Sequence, residues 1–406
     1  MLRFWQNACF FFVVWLSVAV EMSAQTLTTM VNHGASSNRV DMVFIGDGYQ
    51  ASELPSTYVS HINTTVNHFF NNSLSSPFGR YQNFFNVHRV NIASNQSGAD
   101  DPINNIYVDT ALDATYNTGG TDRCLYFNTT KANNAVNTAL SGSGIDIDMR
   151  LGTVNSTKYG GCGGQWAVWA GGNGSAPEIA VHEVGHSFAG LADEYFSPGT
   201  YAGGEFSEWN VTNNPNSGKW NRWLGYNDPS SNIGAIGYYE GGRYLQNGVW
   251  RPSDNSKMRA LNRPFDAISR EKFIDQIYRE VDPLDAWLSN SSTLIDPSGL
   301  WVDSVDSNVI SVEWFLNGNS LGIFGETLNV NTLGLATGNY QLTARAFDNI
   351  LNTSFSGGAL DWWRLSPDLL RQSVNWNVSV TAIPEPSSMA LLACGVFGLF
   401  LRRRQS

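Results

Sequence analysis

Between Arg39 and Tyr49 the chain runs RVDMVFIGDGY, an apolar stretch closed by an aspartate between two glycines. That pattern predicts a buried strand followed by a tight turn. A helix-like stretch over 51–70 and a second apolar strand over 84–92 come next, and strand, helix, strand in this order predicts an α/β layer. Beyond about Asp285 the texture changes. Ile310, Val312, Trp314 and Leu316 alternate with other residues, Asn317-Gly318 supplies a hairpin turn, and the alternation returns at Tyr340, Leu342, Ala344 and Ala346 and again at Val374, Trp376, Val378 and Val380. Period-two runs separated by turn residues predict a small antiparallel β-sandwich of the Ig-like kind. The expected architecture is α+β, with a larger domain over 25–285 and the sandwich over 290–382.

Two further apolar stretches lie at the ends. Arg3, an apolar run from Ala8 to Val20 and small residues at Ser23 and Ala24 predict a secretory signal peptide over 1–24, the run being too short to span a bilayer. At the other end Pro384-Glu385-Pro386 precedes an apolar stretch, Met389 to Leu401, and then Arg402-Arg403-Arg404. This order resembles the PEP-CTERM sorting signal of Gram-negative bacteria, here over 383–406. The resemblance implies a short membrane segment held by its basic tail, recognition by an exosortase-type enzyme, cleavage of the tail, and delivery to the cell surface or extracellular matrix.

Composition narrows the function. The 406 residues carry a net charge of −11, with only 24 basic side chains against 35 acidic ones and no basic block, so nothing offers a nucleic acid an electrostatic footprint. Arg3 and Glu21 cancel in the first segment, and Glu385 with three arginines makes the last one +2, so the body between them stands at −13. Of four cysteines only Cys124 and Cys162 belong to that body, and a pair in an oxidising compartment is most simply a disulfide. The glycine-rich segment Tyr159-Gly160-Gly161-Cys162-Gly163-Gly164 lacks the Lys-Ser/Thr ending of a phosphate loop and reads as a loop whose backbone can approach something closely.

The candidate chemistry sits between Ser175 and Tyr195. Ser175 as N-cap, Pro177 in the first turn and Gly190 at the end bracket a helix. His182 and His186, four residues apart, share one face of it and can bind one ion, with Glu183 between them in reach of a water on that ion. A third ligand is needed. Asp193, returned toward the histidines by a turn at Gly190, is the first choice, with Glu194 and the more distant Glu205 as rivals. With zinc bound there, the open position would carry a water acidified toward a pKa of about 7, and Glu183 would serve as its general base. Asp47 reads as a turn aspartate, with a structural Ca²⁺ shared with Asp100 and Asp101 as the alternative. His61 and His68 read as exposed polar positions, and His33 and His88 as structural.

The stretch from His182 to Tyr195 closely resembles the signature of the bacterial IgA-peptidase family of zinc metallopeptidases. Flanking blocks extend the likeness: Val40 to Tyr49, Phe85-Asn86-Val87-His88, Ser97-Gly98-Ala99-Asp100, Asn155 to Gly161, Tyr239-Glu240-Gly241-Gly242, Arg251-Pro252 and Lys257-Met258-Arg259. The resemblance implies a metzincin-like fold with Met258 as the Met-turn methionine beneath the metal, and a protein or peptide as substrate. A tyrosine two residues after Met258, which some metzincins use, is replaced by Ala260. Tyr195, Tyr238, Tyr239, Tyr244 and Arg243 are the candidate oxyanion donors. The expected function is a secreted zinc endopeptidase; the alternative is a matrix or adhesion protein that uses this body as scaffold and the sandwich for binding.

Overall fold

The computed structural model describes residues 25–229, 231–351 and 361–381. The expected signal peptide and sorting segment lie outside these residues. None of the described helices is long and apolar enough to cross a membrane.

The first part of the chain folds around a six-stranded mixed sheet. Its members in chain order are β1 (Thr26–Val31), β2 (Val40–Asp47), β3 (Phe85–Asn91), β4 (Met149–Val154), β5 (Gly161–Cys162) and β6 (Ala167–Ala170), and their spatial order is β1-β3-β2-β4-β6-β5. Strands β3, β2, β4 and β6 run parallel, while β1 and β5 are antiparallel edges. Every residue of β2 is buried, as its continuous apolar run requires of a strand covered on both faces. Its side chains divide between two layers. Met42 and Phe44 join Ile62, Phe69, Ile179 and Phe273 on one side, and Val43 and Ile45 join Leu125, Val136 and Trp166 on the other.

Three of the four helices matter for the site: α1 (Val59–Asn71), α3 (Ala176–Ser187) and α4 (Ala267–Glu280), with α2 (Thr129–Leu140) on the opposite face of the sheet. The helix expected over 51–70 is split, with a wider π-type turn at Leu54–Tyr58 feeding α1. Burial of Ile62, Thr65 and Phe69 gives α1 one inward stripe. Helix α3 differs, because nine of its twelve residues are buried. It packs against α1 and against β4, β5 and β6. A helix enclosed on most sides cannot leave its histidines and glutamates to water, so each needs a partner.

A small three-stranded sheet, β7 (Phe196–Thr200), β8 (Tyr239–Gly242) and β9 (Tyr244–Arg251), follows the site helix in the order β7-β9-β8. The rest of the chain is β-rich: β10 (Leu284–Trp287), β11 (Leu294–Ile295), β12 (Gly299–Ser304), β13 (Ile310–Leu316), β14 (Asn319–Phe324), β15 (Thr327–Asn329), β16 (Gly338–Asp348) and β17 (Arg371–Val380). The three period-two runs are β13, β16 and β17, antiparallel neighbours in a five-stranded sheet. One pair in that sheet, β11 with β17, is parallel. The Asn317-Gly318 hairpin joins β13 to β14 with both residues at positive φ, 48° and 81°, which matches the right-handed twist of the strands. Trp314 and Trp376 stack 5.7 Å apart in an apolar cluster that continues without a break into the α-helical side of the first sheet.

Candidate metal centre

The site is assembled by α3 and the turn after it. Ser175 does precede the helix, but its side chain makes no capping hydrogen bond. Gly190 adopts the left-handed conformation expected, with φ of 59°, and turns the chain back on itself. As a result Asp193 Oδ1 lies 3.0 Å from His182 Nε2 and 3.3 Å from His186 Nε2, and the two imidazole Nε2 atoms are 3.3 Å apart. The three ligand atoms fall within 4.8 Å of one another. Backbone carbonyls fix both rings from behind: Lys257 O is 3.0 Å from His182 Nδ1 and Leu191 O is 2.7 Å from His186 Nδ1. Those carbonyls accept the Nδ1 protons, which leaves the Nε2 lone pairs facing a carboxylate. Lone pairs and an anion converging in a buried space call for a cation, so the donor set fits a metal ion. In its absence a proton can take that place. Burial opposes charge on His186, yet Asp193 raises its pKa to about 9, and the two histidines hold the Asp193 carboxyl far below its usual range against its own burial.

Glu183 is buried beside the cluster, and burial pushes its carboxyl pKa up despite the pull of His182 and His186. Gly163 crosses directly over it. A Cβ on that glycine would stand 2.9 Å from Glu183 Oε2, so the glycine-rich segment does make a close approach, and what it approaches is the site helix. Met258 is fully buried and packs against α3 at Gly185, while its carbonyl accepts from Glu194 N at 2.8 Å.

The rivals to Asp193 are elsewhere. Glu194 is fully buried but turned away, accepting from Asn210 Nδ2 at 3.0 Å and Ser256 Oγ at 2.6 Å. Glu205 bonds Lys219 and Thr212. Among the described residues no second group of three metal-binding side chains converges. Asp47 is a loop anchor, since its carboxylate accepts from Ser94, Thr110 and the amides of Leu112 and Ala114. Asp100 is taken by Val108 N and Asp101 by Asn104 and Lys158, so the Ca²⁺ alternative finds no common point.

The reading of His61 and His68 as exposed is corrected. Both are half-buried; His61 bonds the Tyr49 hydroxyl, and His68 Nε2 lies 2.8 Å from Glu178 Oε1. Glu178, in the first turn of α3, also accepts from buried Lys257 Nζ at 2.6 Å and from Asn262 N at 2.7 Å. This network ties α1, α3 and the segment before Met258 together, and Lys257 is the residue whose carbonyl orients His182. Sequence reasoning passed over it although Glu178 and Lys257 both lie in the blocks singled out, because only the fold brings them together.

Of the five side chains considered as oxyanion donors, Tyr195 and Tyr244 lie at the cluster. The Tyr244 hydroxyl donates to the Asp193 carboxylate, and the Tyr195 ring lies 5.3 Å from that of Tyr244. Tyr238 stacks on Trp220, Tyr239 bonds Ala235 O, and the Arg243 side chain turns to Glu208. Arg243 and Tyr244 both hold positive φ, 47° and 68°, and Arg243 N donates to Asp193 O at 2.7 Å. Strain of this kind at non-glycine residues marks a position the surroundings enforce. Cys124 and Cys162 are joined in a disulfide, which fastens the segment before α2 to β5 beside Glu183.

Fold and site thus define an α+β protein with a buried His-His-Asp cluster and a glutamate beside it on the same helix. The family model of the IgA Peptidase M64 family matches residues 28–233, half of the chain, and the protein belongs to that peptidase family. The PEP-CTERM protein-sorting motif matches residues 382–404, which marks an exported, sorted protein. No curated protein matches the chain.

Proposed function

We propose that the protein is a surface-sorted, zinc-dependent endopeptidase in which His182, His186 and Asp193 hold the ion and Glu183 is the general base. The observation that carries this reading is the convergence of three ligand atoms within 4.8 Å next to a buried glutamate with a raised pKa. When bound, zinc would supply a Lewis acid that polarises the peptide carbonyl and acidifies water.

The remaining work falls to the chain's own side chains. Glu183 takes a proton from the attacking water and passes it to the leaving amine; burial raises its pKa, which makes it a stronger base toward that water. Tyr244 and Tyr195 stand where they can donate to the developing oxyanion. The Gly163 backbone leaves the space over Glu183 free of side chains, as an extended peptide requires.

Residues 25–285 are read as a metzincin-like peptidase domain with Met258 as its Met-turn residue, and 290–382 as a β-sandwich packed onto it. The C-terminal segment is read as the substrate of an exosortase-type enzyme that leaves the body at the cell surface. Purified protein should contain about one zinc per chain and cleave an unstructured protein, and Glu183→Gln should abolish cleavage with the zinc retained. Activity surviving in that variant would remove Glu183 from the mechanism. Zinc-loaded protein that cleaves nothing but binds matrix polymers would favour an adhesion role instead.

A further inference from the structure

Most cations of this acidic protein are matched to a carboxylate: Lys158 to Asp101 and Asp122, Lys257 to Glu178, Arg243 to Glu208, Arg270 to Asp228. Arg123 is an exception at a telling place. It is exposed and forms no ion pair within 4.0 Å with any described carboxylate. Its guanidinium sits 5.7 Å from the centre of the Tyr195 ring. The Tyr195 ring in turn lies 5.3 Å from that of Tyr244, whose hydroxyl donates to Asp193, so the guanidinium stands at the lip of the metal centre.

Two independent struts hold it there. The next residue, Cys124, is linked to Cys162 in β5, and Arg123 O accepts from Gly161 N at 3.1 Å. Gly163, two residues beyond Gly161, lies over Glu183. Arg123 is therefore fixed at the backbone, adjacent to the base, with a planar fork of donors that meets no carboxylate among the described residues. A guanidinium in that state is suited to bidentate capture of a carboxylate. In a protein of net charge −11 an acidic substrate would meet repulsion over most of the surface, so a lone cation at the mouth also sets where such a substrate can dock.

We propose that Arg123 is a recognition residue that pairs with a substrate carboxylate next to the scissile bond, making this an enzyme for acidic peptides. The proposal rests on the peptidase reading above and names its substrate class. The carboxylate can be an Asp or Glu side chain or a peptide's C-terminus.

The test compares matched peptides, Asp against Asn and Glu against Gln at each position flanking the cleaved bond, and free against amidated C-termini. Two quantities are measured on the full chain: kcat/KM for the zinc-loaded protein, and binding of the same peptides to Glu183→Gln by fluorescence anisotropy. The expected result is a preference for the acid of about tenfold at one position or at the terminus, falling to about one in Arg123→Gln and intermediate in Arg123→Lys. An acid-to-amide ratio near one throughout in the unsubstituted chain overturns the proposal without any variant, and so does a preference that survives Arg123→Gln. Binding discrimination that depends on Arg123 without any cleavage would uphold Arg123 and sink the peptidase reading, while cleavage without discrimination would do the reverse.

Discussion

Asp193 and Asp348 are both buried carboxylates, 4% and 0% exposed, and their neighbours are of opposite kinds. Asp348, at the end of β16, receives the Arg80 guanidinium, the hydroxyls of Tyr81 and Tyr278, each at 2.7 Å, and Ile350 N at 3.0 Å. All four are donors, so the carboxylate is satisfied and works as a joint between the C-terminal β-rich region and the first part of the chain. Asp193 receives the Tyr244 hydroxyl on Oδ2, but its Oδ1 meets two imidazoles whose other nitrogens are already committed to carbonyls, an arrangement that a cation would complete. The difference teaches how to tell a structural buried acid from a functional one: by counting whether protein donors alone suffice.

That contrast can be broken by substitution. The largest effect is expected at the site, where Glu183→Gln should lower kcat/KM about 10²- to 10⁴-fold with zinc content unchanged, as read by peptide cleavage and elemental analysis. Next comes the joint. Asp348→Ala strands the Arg80 guanidinium among buried hydroxyls and should cost about 3–5 kcal/mol in chemical denaturation, with one zinc still bound per chain. Loss of zinc in that variant would mean that the joint and the site are not separate.

Glu178 sharpens the comparison through pH. Burial opposes its ionisation, but His68 and Lys257 pull its carboxyl down to about 2 from an ordinary 4.5. A depressed carboxyl contributes stability that is complete above the ordinary value and is lost as the pH falls through the folded one. The advantage of the unsubstituted chain over Glu178→Gln should therefore be on the order of 3 kcal/mol near neutrality and shrink between pH 4.5 and about 2, followed by denaturation at stepped pH. An advantage independent of pH in that window would assign the effect to packing. The smallest change is expected for Tyr244→Phe, which removes one hydrogen bond to Asp193 and should weaken zinc binding or turnover about tenfold. Competition with a chromogenic chelator separates those two.

Legibility followed the range of the interactions. Strands β2 and β3, helix α3, and β13, β16 and β17 could be read because their apolar periodicity is contained in a single segment. The short strands β11 and β15 carry no such signal and exist only through their partners, Val378-Ser379 for one and β12 for the other. His68 looked idle for the same reason, since its partner Glu178 is 110 residues away.

From the sequence alone came the placement of His182, Glu183 and His186 on one helix, the turn at Gly190, and the sorting signal, all set by local backbone geometry or by residue type and order, while the Cys124–Cys162 bond was an expectation whose two halves the fold had to bring together. Tertiary structure decided the rest. It placed Asp193, already first among the sequence candidates, at the histidines and Glu194 away from them, because the chain leaving Gly190 points one carboxylate at the imidazoles and buries its neighbour against Asn210 and Ser256. It also brought Arg123 to the lip of the site through a disulfide and a β-edge contact. A ligand on a helix is fixed by a 3.6-residue period, whereas a carboxylate or cation on a loop is fixed only by what the loop packs against.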